Sequence, residues 1–314
     1  MADRSTRLFR IHATLAVVVI VTMVLVLYRA AHPVSGLAPP DHNLQAASTQ
    51  PVIRKGRRLE HITLASTDFG NIGIFVSMPD PLPARRLPVV IVLGGLGTGE
   101  NNIRYIDNAG DNIIIGYDWP IPVRFPQGLA FLEQAPTLYS QVMVIPEQVA
   151  SAIAWVAAQP WADEKHISVL GYSLGALAAP SAENLAERDG HPIGWTILAY
   201  GGAPFGDLLA ANPHMQPEWL RVILAPVIDF LFRSLQPTAN LPQLSSHFLV
   251  LEGRDDALVP AGARARLRDA VPGSKDVIVF NGDHMGVGAG QMELLGQIIR
   301  TSRAWLLQNG AVNP

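Results

Sequence analysis

Ile167-Ser168-Val169-Leu170-Gly171-Tyr172-Ser173-Leu174-Gly175-Ala176 is the stretch from which the rest of the chain can be ordered. A short, mostly apolar run with β-forming residues leads into Gly-x-Ser-x-Gly, and from Leu174 to Arg188 the pattern turns helical. A strand, a tight turn with a serine at its tip and a helix are therefore predicted in that order. Such a turn strains the serine backbone, and the flanking glycines let strand and helix approach closely. The hydroxyl then sits at a helix N-terminus, where free backbone N–H groups favour a developing negative charge. Ser173 is thus a candidate nucleophile; the competing reading is an ordinary serine in a glycine-bounded turn.

Upstream, Leu59 to Ser66 and Asn71 to Met78 read as two strands joined by Thr67-Asp68-Phe69-Gly70, a hairpin. A proline-rich connector, Pro79 to Pro88, leads to the continuous apolar run Val89 to Leu93, which suits a strand buried on both faces. That run ends on Gly94-Gly95-Leu96-Gly97-Thr98-Gly99. Further strand-like runs lie at Asn112 to Gly116, Trp195 to Ala199, Phe248 to Leu251 and Val277 to Phe280. Helical spacing marks Pro146 to Gln159 and Gln291 to Leu307 as well. Strands alternating with helices after a hairpin predict an α/β domain with a mostly parallel central sheet, antiparallel N-terminal strands and helices on both faces.

The chain has 314 residues, 49% hydrophobic and 16% charged, enough for one full core. Lys plus Arg number 23 and Asp plus Glu 26, a net charge of −3, and the only dense basic block is Arg54 to Arg58; nucleic acid is not expected as a partner. With no cysteine, disulfides and thiolate chemistry are excluded. Ile11 to Tyr28 carries no formal charge and as a helix would be about 27 Å long, close to a bilayer core. Arg4, Arg7 and Arg10 precede it, and after Arg29 the next basic residue is Arg54, so the remainder of the chain is expected outside the cytoplasm. Residues 1–29 are read as a membrane anchor, with a cleaved signal segment, and hence a secreted or periplasmic product, as the alternative. Residues 30–51, with four prolines, are read as a linker and 52–314 as the folded domain.

Two later turns hold the remaining chemistry. Phe248 to Leu251 runs into Glu252-Gly253-Arg254-Asp255-Asp256-Ala257-Leu258-Val259-Pro260, where either Asp255 or Asp256 could orient an imidazole. Val277 to Phe280 runs into Asn281-Gly282-Asp283-His284-Met285-Gly286. Of the histidines after Ser173, namely His191, His214, His247 and His284, only His284 follows a late strand in this way, in the kind of loop where parallel sheets gather catalytic groups.

From about Leu59 to Leu307 this order of hairpin, glycine loop, serine turn, acid turn and histidine loop resembles the α/β-hydrolase superfamily. The resemblance implies the order serine, acid, histidine, with His284 as general base. The superfamily's acid turn often reads Gly-x-x-Asp-x-x-Val-Pro, which matches Gly253 to Pro260 and implies Asp256 as the acid and Asp255 as a turn former. It also implies two backbone oxyanion donors, Leu174 after the nucleophile and Leu96 in the glycine loop. Many relatives have His-Gly-x there; this chain has Gly94 in place of the histidine.

Other glycine-loop chemistries fail on detail. Glu100 and Asn101 follow Gly99 where a P-loop needs Lys and Ser or Thr, and no third glycine completes G-x-G-x-x-G after Gly97. No histidine pair is spaced i, i+4, so neither a metal nor an organic cofactor is expected. Residues 203–244, with Trp219, Val222, Ile223, Pro226, Val227, Phe230 and Leu231, read as a cap with an apolar helical face. The expected function is hydrolysis of a carboxylic ester or thioester, on a small-molecule or lipid-like substrate, through an acyl-enzyme on Ser173. An acyltransferase or peptidase on the same fold, or a non-catalytic membrane-tethered binding module, are the alternatives.

Overall fold

The computed structural model describes residues 37–95, 97–122, 129–213, 218–286, 288 and 290–314, together with Val19, Thr22, Met23 and Leu27. The anchor segment therefore lies almost wholly outside the described residues. Among them, no helix is long and apolar enough to cross a membrane.

Ten strands form one sheet: β1 (Gln45–Ser48), β2 (Val52–Arg54), β3 (Arg57–Ser66), β4 (Gly70–Pro79), β5 (Leu87–Leu93), β6 (Ile113–Tyr117), β7 (Ala162–Tyr172), β8 (Trp195–Ala199), β9 (His247–Gly253) and β10 (Lys275–Phe280). Their order is β1-β3-β4-β6-β5-β7-β8-β9-β10, with β2 on β3. The pairs from β1 to β4 and β4 with β6 are antiparallel, and all later pairs are parallel. The predicted hairpin is β3 and β4, paired in register from Arg57 opposite Pro79 to Ser66 opposite Gly70.

Alternate residues of the central strands enter two different cores, as a sheet covered on both faces requires. Val89, Ile91 and Leu93 of β5 join one cluster and Val90 and Val92 the other. Phe248 and Val250 of β9 divide from Leu249 and Leu251 in the same way. The helices are α1 (Gly99–Ile103), α2 (Leu129–Met143), α3 (Ile145–Ala157), α4 (Leu174–Arg188), α5 (Phe205–Ala211), α6 (Glu218–Leu231), α7 (Pro237–Asn240), α8 (Ala261–Ala270) and α9 (Met292–Gln308). Val149 and Ile153 of α3 and Ala179 of α4 cover one face; Ile103 of α1 and Ile298 and Trp305 of α9 cover the other.

One part differs from expectation, and one apolar strand lies exposed at an edge. Gln45–Ser48, inside the stretch read as a linker, pairs antiparallel with β3 as an exposed edge strand. The apolar run of β10 is not buried: Val277, Ile278 and Val279 are 37–47% exposed, because β10 is the other edge of the sheet.

The chain steps from β5 to β6 on one side and, later, to β7 on the other. Beyond the carboxyl ends of β5 and β7 this reversal opens a crevice, the usual place for a site in a parallel sheet.

Candidate active site

Ser173 stands at that crevice, between β7 and α4. Its φ of 54° and ψ of −112° lie in a region that costs a non-glycine residue about 1–3 kcal/mol. The Ser173 N–H donates to the Ala199 carbonyl at 2.8 Å, tying the turn to β8. Gly175 is required by contact: a Cβ there would run into the Leu93 carbonyl. The serine precedes α4, yet its hydroxyl does not cap the helix. It faces His284 instead, with Oγ 2.8 Å from Nε2.

His284 Nδ1 lies 2.8 Å from Asp256 Oδ2, so Nδ1 carries the proton toward the carboxylate and Nε2 is left to accept from the serine. Asp256 is fully buried and His284 is 13% exposed. The other oxygen of Asp256 accepts the Leu258 and Val259 N–H groups, each at 2.9 Å. Asp256 therefore shapes the acid turn as well as meeting the imidazole. Among the described residues, the one hydrogen bond of Asp255 runs from its N–H to the Gly282 carbonyl at 3.1 Å.

The acid and histidine loops are joined by a residue that sequence reasoning passed over. Asp283 Oδ1 accepts the Ala257 N–H at 2.9 Å and the His284 N–H at 2.7 Å, and these two bonds, in that order, hold its carboxyl below the usual range. Behind the imidazole stands Tyr200, edge-on at 5.6 Å between ring centroids. Burial, then the Asp256 charge, pushes the Tyr200 phenol up to about 12, so it stays a neutral packing surface. Neither residue lies in a motif, and only their loop positions, after β8 and β10, hint at a role.

Leu174, one of the two predicted oxyanion donors, is the first residue of α4 and lines the cavity in front of Ser173. The first N–H groups of a helix have no partner within it. Leu96 lies outside the described residues. Just after it, the Gly97 carbonyl accepts the Trp119 N–H at 3.2 Å, and the Gly99 N–H donates to Asp118, which in turn meets His61 Nε2 at 2.6 Å. A side chain at Gly94 would collide with Asn102, whose amide donates to the Tyr117 carbonyl at 3.0 Å. Glycine at this position leaves room for the Asn102 side chain.

Ser173 and His284 open into a cavity of about 490 Å³. Its walls are mainly apolar: Trp119, Val142, Ile145 and Leu177 on the body, and Phe205, Leu208, Ile228 and Phe232 from the region read as a cap. The apolar face expected for that cap is divided. Leu231 and Val227 pack with Tyr139 and Met143, whereas Val222, Ile223 and Phe230 are 43–60% exposed. The indole N–H of Trp119 is buried and has no acceptor among the described residues.

Neither a protein-family model nor a curated protein matches the sequence. Solved structures do match the fold. An acetyl xylan esterase from Paenibacillus sp. R4 superposes with a TM-score of 0.59 at 16% identity over 89% of this chain and 93% of that one. Acetyl xylan esterase 1 from Thermoanaerobacterium gives 0.55 at 14% identity, covering 81% and 87%. A cold-adapted esterase from an Arctic intertidal metagenomic library gives 0.53 at 15% identity, covering 79% and 97%. At such identities the likeness is one of fold, and together with the sheet order and the serine turn it shows that this chain has the α/β-hydrolase fold.

Proposed function

We propose that the protein is a serine ester hydrolase acting on uncharged esters with an apolar acyl group. The observation that carries this reading is the continuous line Ser173–His284–Asp256, with both links at 2.8 Å, at the mouth of an apolar cavity. Ser173 Oγ attacks the ester carbonyl while His284 Nε2 takes its proton, and Asp256 stabilises the imidazolium that forms. The oxyanion accepts N–H groups of Leu174 and Leu96; each such donor is worth about 2.7–4 kcal/mol in the transition state. His284 returns the proton to the leaving alcohol, and water, deprotonated by the same imidazole, releases the acid.

The lining favours esters over the alternatives. Among the described residues around the cavity there is no carboxylate, ammonium or guanidinium to hold a peptide terminus or the phosphates of an acyl carrier. Esterases among the structural neighbours support the same chemistry by fold analogy alone. A fluorophosphonate probe tests the nucleophile: labelling of the wild-type protein that disappears in Ser173→Ala is expected, and equal labelling of both would sink the assignment. A panel of esters graded by acyl length then reads the substrate class.

The same proposal sets the domain on the extracytoplasmic side of a membrane, held by residues 1–29. Its support is the uncharged run Ile11 to Tyr28 with arginines before it, and the exposed apolar residues Val222, Ile223 and Phe230 on the outside of α6. Recovery of the full chain in the membrane fraction after alkaline carbonate washing is the expected result.

A further inference from the structure

One cluster far from Ser173 has no part in this chemistry. At its carboxyl end, α4 closes with a Schellman turn, in which Gly190 takes φ 88°. The Gly190 N–H donates to the Glu187 carbonyl at 3.1 Å and the His191 N–H to the Ala186 carbonyl at 2.9 Å. Backbone bonds alone close this turn, so Asp189 and His191 are set on a fixed frame on either side of Gly190, with His191 Nε2 3.5 Å from Asp189 Oδ2.

The third member arrives from the N-terminal segment. The Asp41 N–H donates to Ser151 Oγ at 2.8 Å, and the Asp41 carboxylate accepts from the Ser66 hydroxyl at 2.6 Å and the Asn43 N–H at 2.8 Å. With its neighbours held this way, His42 comes against the end of α4, and its Nε2 lies 3.1 Å from both oxygens of Asp189.

Hydrogen bonding does not satisfy this group. His42 Nε2 bonds Asp189 Oδ1, while Oδ2 is buried without a hydrogen-bond partner among the described residues, although two imidazole nitrogens flank it. A cation would satisfy all three side chains together. The ligand atoms lie within 4.8 Å of one another, and the two nitrogen-to-Oδ2 separations are 3.1 and 3.5 Å. Zinc bonds of about 2.0–2.1 Å at the tetrahedral angle place ligand atoms about 3.3–3.4 Å apart. Sequence spacing gave no hint of this cluster, since His42 stands far from the other two in the chain.

We propose that His42, Asp189 and His191 form a site for a divalent transition-metal ion of the zinc class, which clamps the N-terminal segment to the end of α4. Two neutral imidazoles and a carboxylate are a donor set zinc accepts, with water as the fourth ligand. Helix α4, about 22 Å long at its 1.5 Å rise, separates the site from Ser173, so the ion is structural and takes no part in acyl transfer. It fixes the point at which the chain leaves the domain toward residues 1–29.

The test is a titration of the chelator-stripped full-length protein with zinc alone, in competition with a chromophoric chelator. One equivalent bound in the micromolar range or tighter is expected, falling by at least about tenfold in His42→Gln and in His191→Gln. His42 is 58% exposed, so its substitution leaves the fold intact. Zinc should slow proteolytic cleavage around residues 37–44 in the wild type and not in His191→Gln. Fluorophosphonate labelling should be the same in all three proteins, which separates this result from the fate of the hydrolase reading. No uptake at micromolar zinc, or uptake that both substitutions leave unchanged, would overturn the proposal.

Discussion

The two walls of the cavity are built differently. The body wall joins apolar residues of α2, α3 and α4 to the loops at the strand ends, and those loops carry polar groups held by hydrogen bonds: Ser173, His284 and, behind them, Asp256. The cap wall comes from α5 and α6 and presents Phe205, Leu208 and Ile228. Within it Asp229 accepts the Gly206 N–H at 2.7 Å and the Gln236 amide at 2.8 Å, holding α5 to α6, and Asp207 of α5 pairs with Arg266 of α8 on the body. Hydrogen-bond geometry tolerates little displacement, whereas apolar contact tolerates changes of shape. Chemistry and selectivity should therefore separate along this line, with the body wall setting the rate and the cap setting which acyl group is accepted.

The largest effect expected is on the body wall. Ser173→Ala should lower kcat by about six orders of magnitude, measured with an activated ester, while the affinity for a non-hydrolysable ether analogue stays within a few-fold. Loss of binding in parallel with rate would break the division, because the serine would then belong to both functions.

Next in size is the acid. Asp256→Asn should reduce kcat by about four orders of magnitude, since an amide no longer stabilises the imidazolium or fixes its tautomer. Asp255→Asn should change it by less than about threefold, as the one hydrogen bond of Asp255 among the described residues runs from its backbone N–H to the Gly282 carbonyl. The reverse pattern in this pair would reassign the acid.

The candidates at these three places were legible from local patterns, whereas the choice of Asp256 over Asp255 came from the family resemblance. A strained serine between glycines, an acid in a turn after a buried strand and a histidine after the last strand are each short-range patterns. Long-range contacts were less legible. Strand β1 is polar and exposed along its length, so it has no alternation to read. Only Ala263 and Leu267 of α8 are buried, too sparse a face for a periodic signal. The cap helix α6 is apolar on several sides, and periodicity could not say which side met the cavity and which met solvent. Asp283, Tyr200 and the His42 cluster depend on segments that meet only in the folded chain.

A pH-sensitive weakness belongs to the body wall. Glu147 sits in the first turn of α3, next to the cavity residues Ile145 and Pro146, and is buried with one carboxylate oxygen unpartnered. Burial raises its pKa from the ordinary 4.5 to about 7, although hydrogen bonds from its own N–H and that of Ala38 oppose the shift. A raised carboxyl favours the fold while protonated. Its contribution is complete below about pH 4.5 and is lost as pH rises through about 7, a change on the order of 3 kcal/mol. Urea midpoints should thus fall between pH 5 and 8 in the wild type, and Glu147→Gln should flatten that segment and be the more stable protein at pH 8. If the two profiles run parallel, the carboxylate is being solvated in place.

The smallest effect, and the one that bears most directly on the cap, is a shift in substrate preference. Ile228→Ala removes three carbons from the cap side of the cavity, and space for extra methylenes is worth about 1–3 kcal/mol in specificity. The ratio of kcat/KM for a longer acyl ester over acetate should rise by roughly tenfold, while kcat for acetate holds. Val222→Ser, on the exposed outer side of α6, should leave the ratio unchanged with a soluble ester. Should Ile228→Ala instead lower kcat for acetate as much as for the long ester, the cap would be positioning the reacting carbonyl. The two walls would then form one catalytic unit, and the cap would have to be counted with the chemistry.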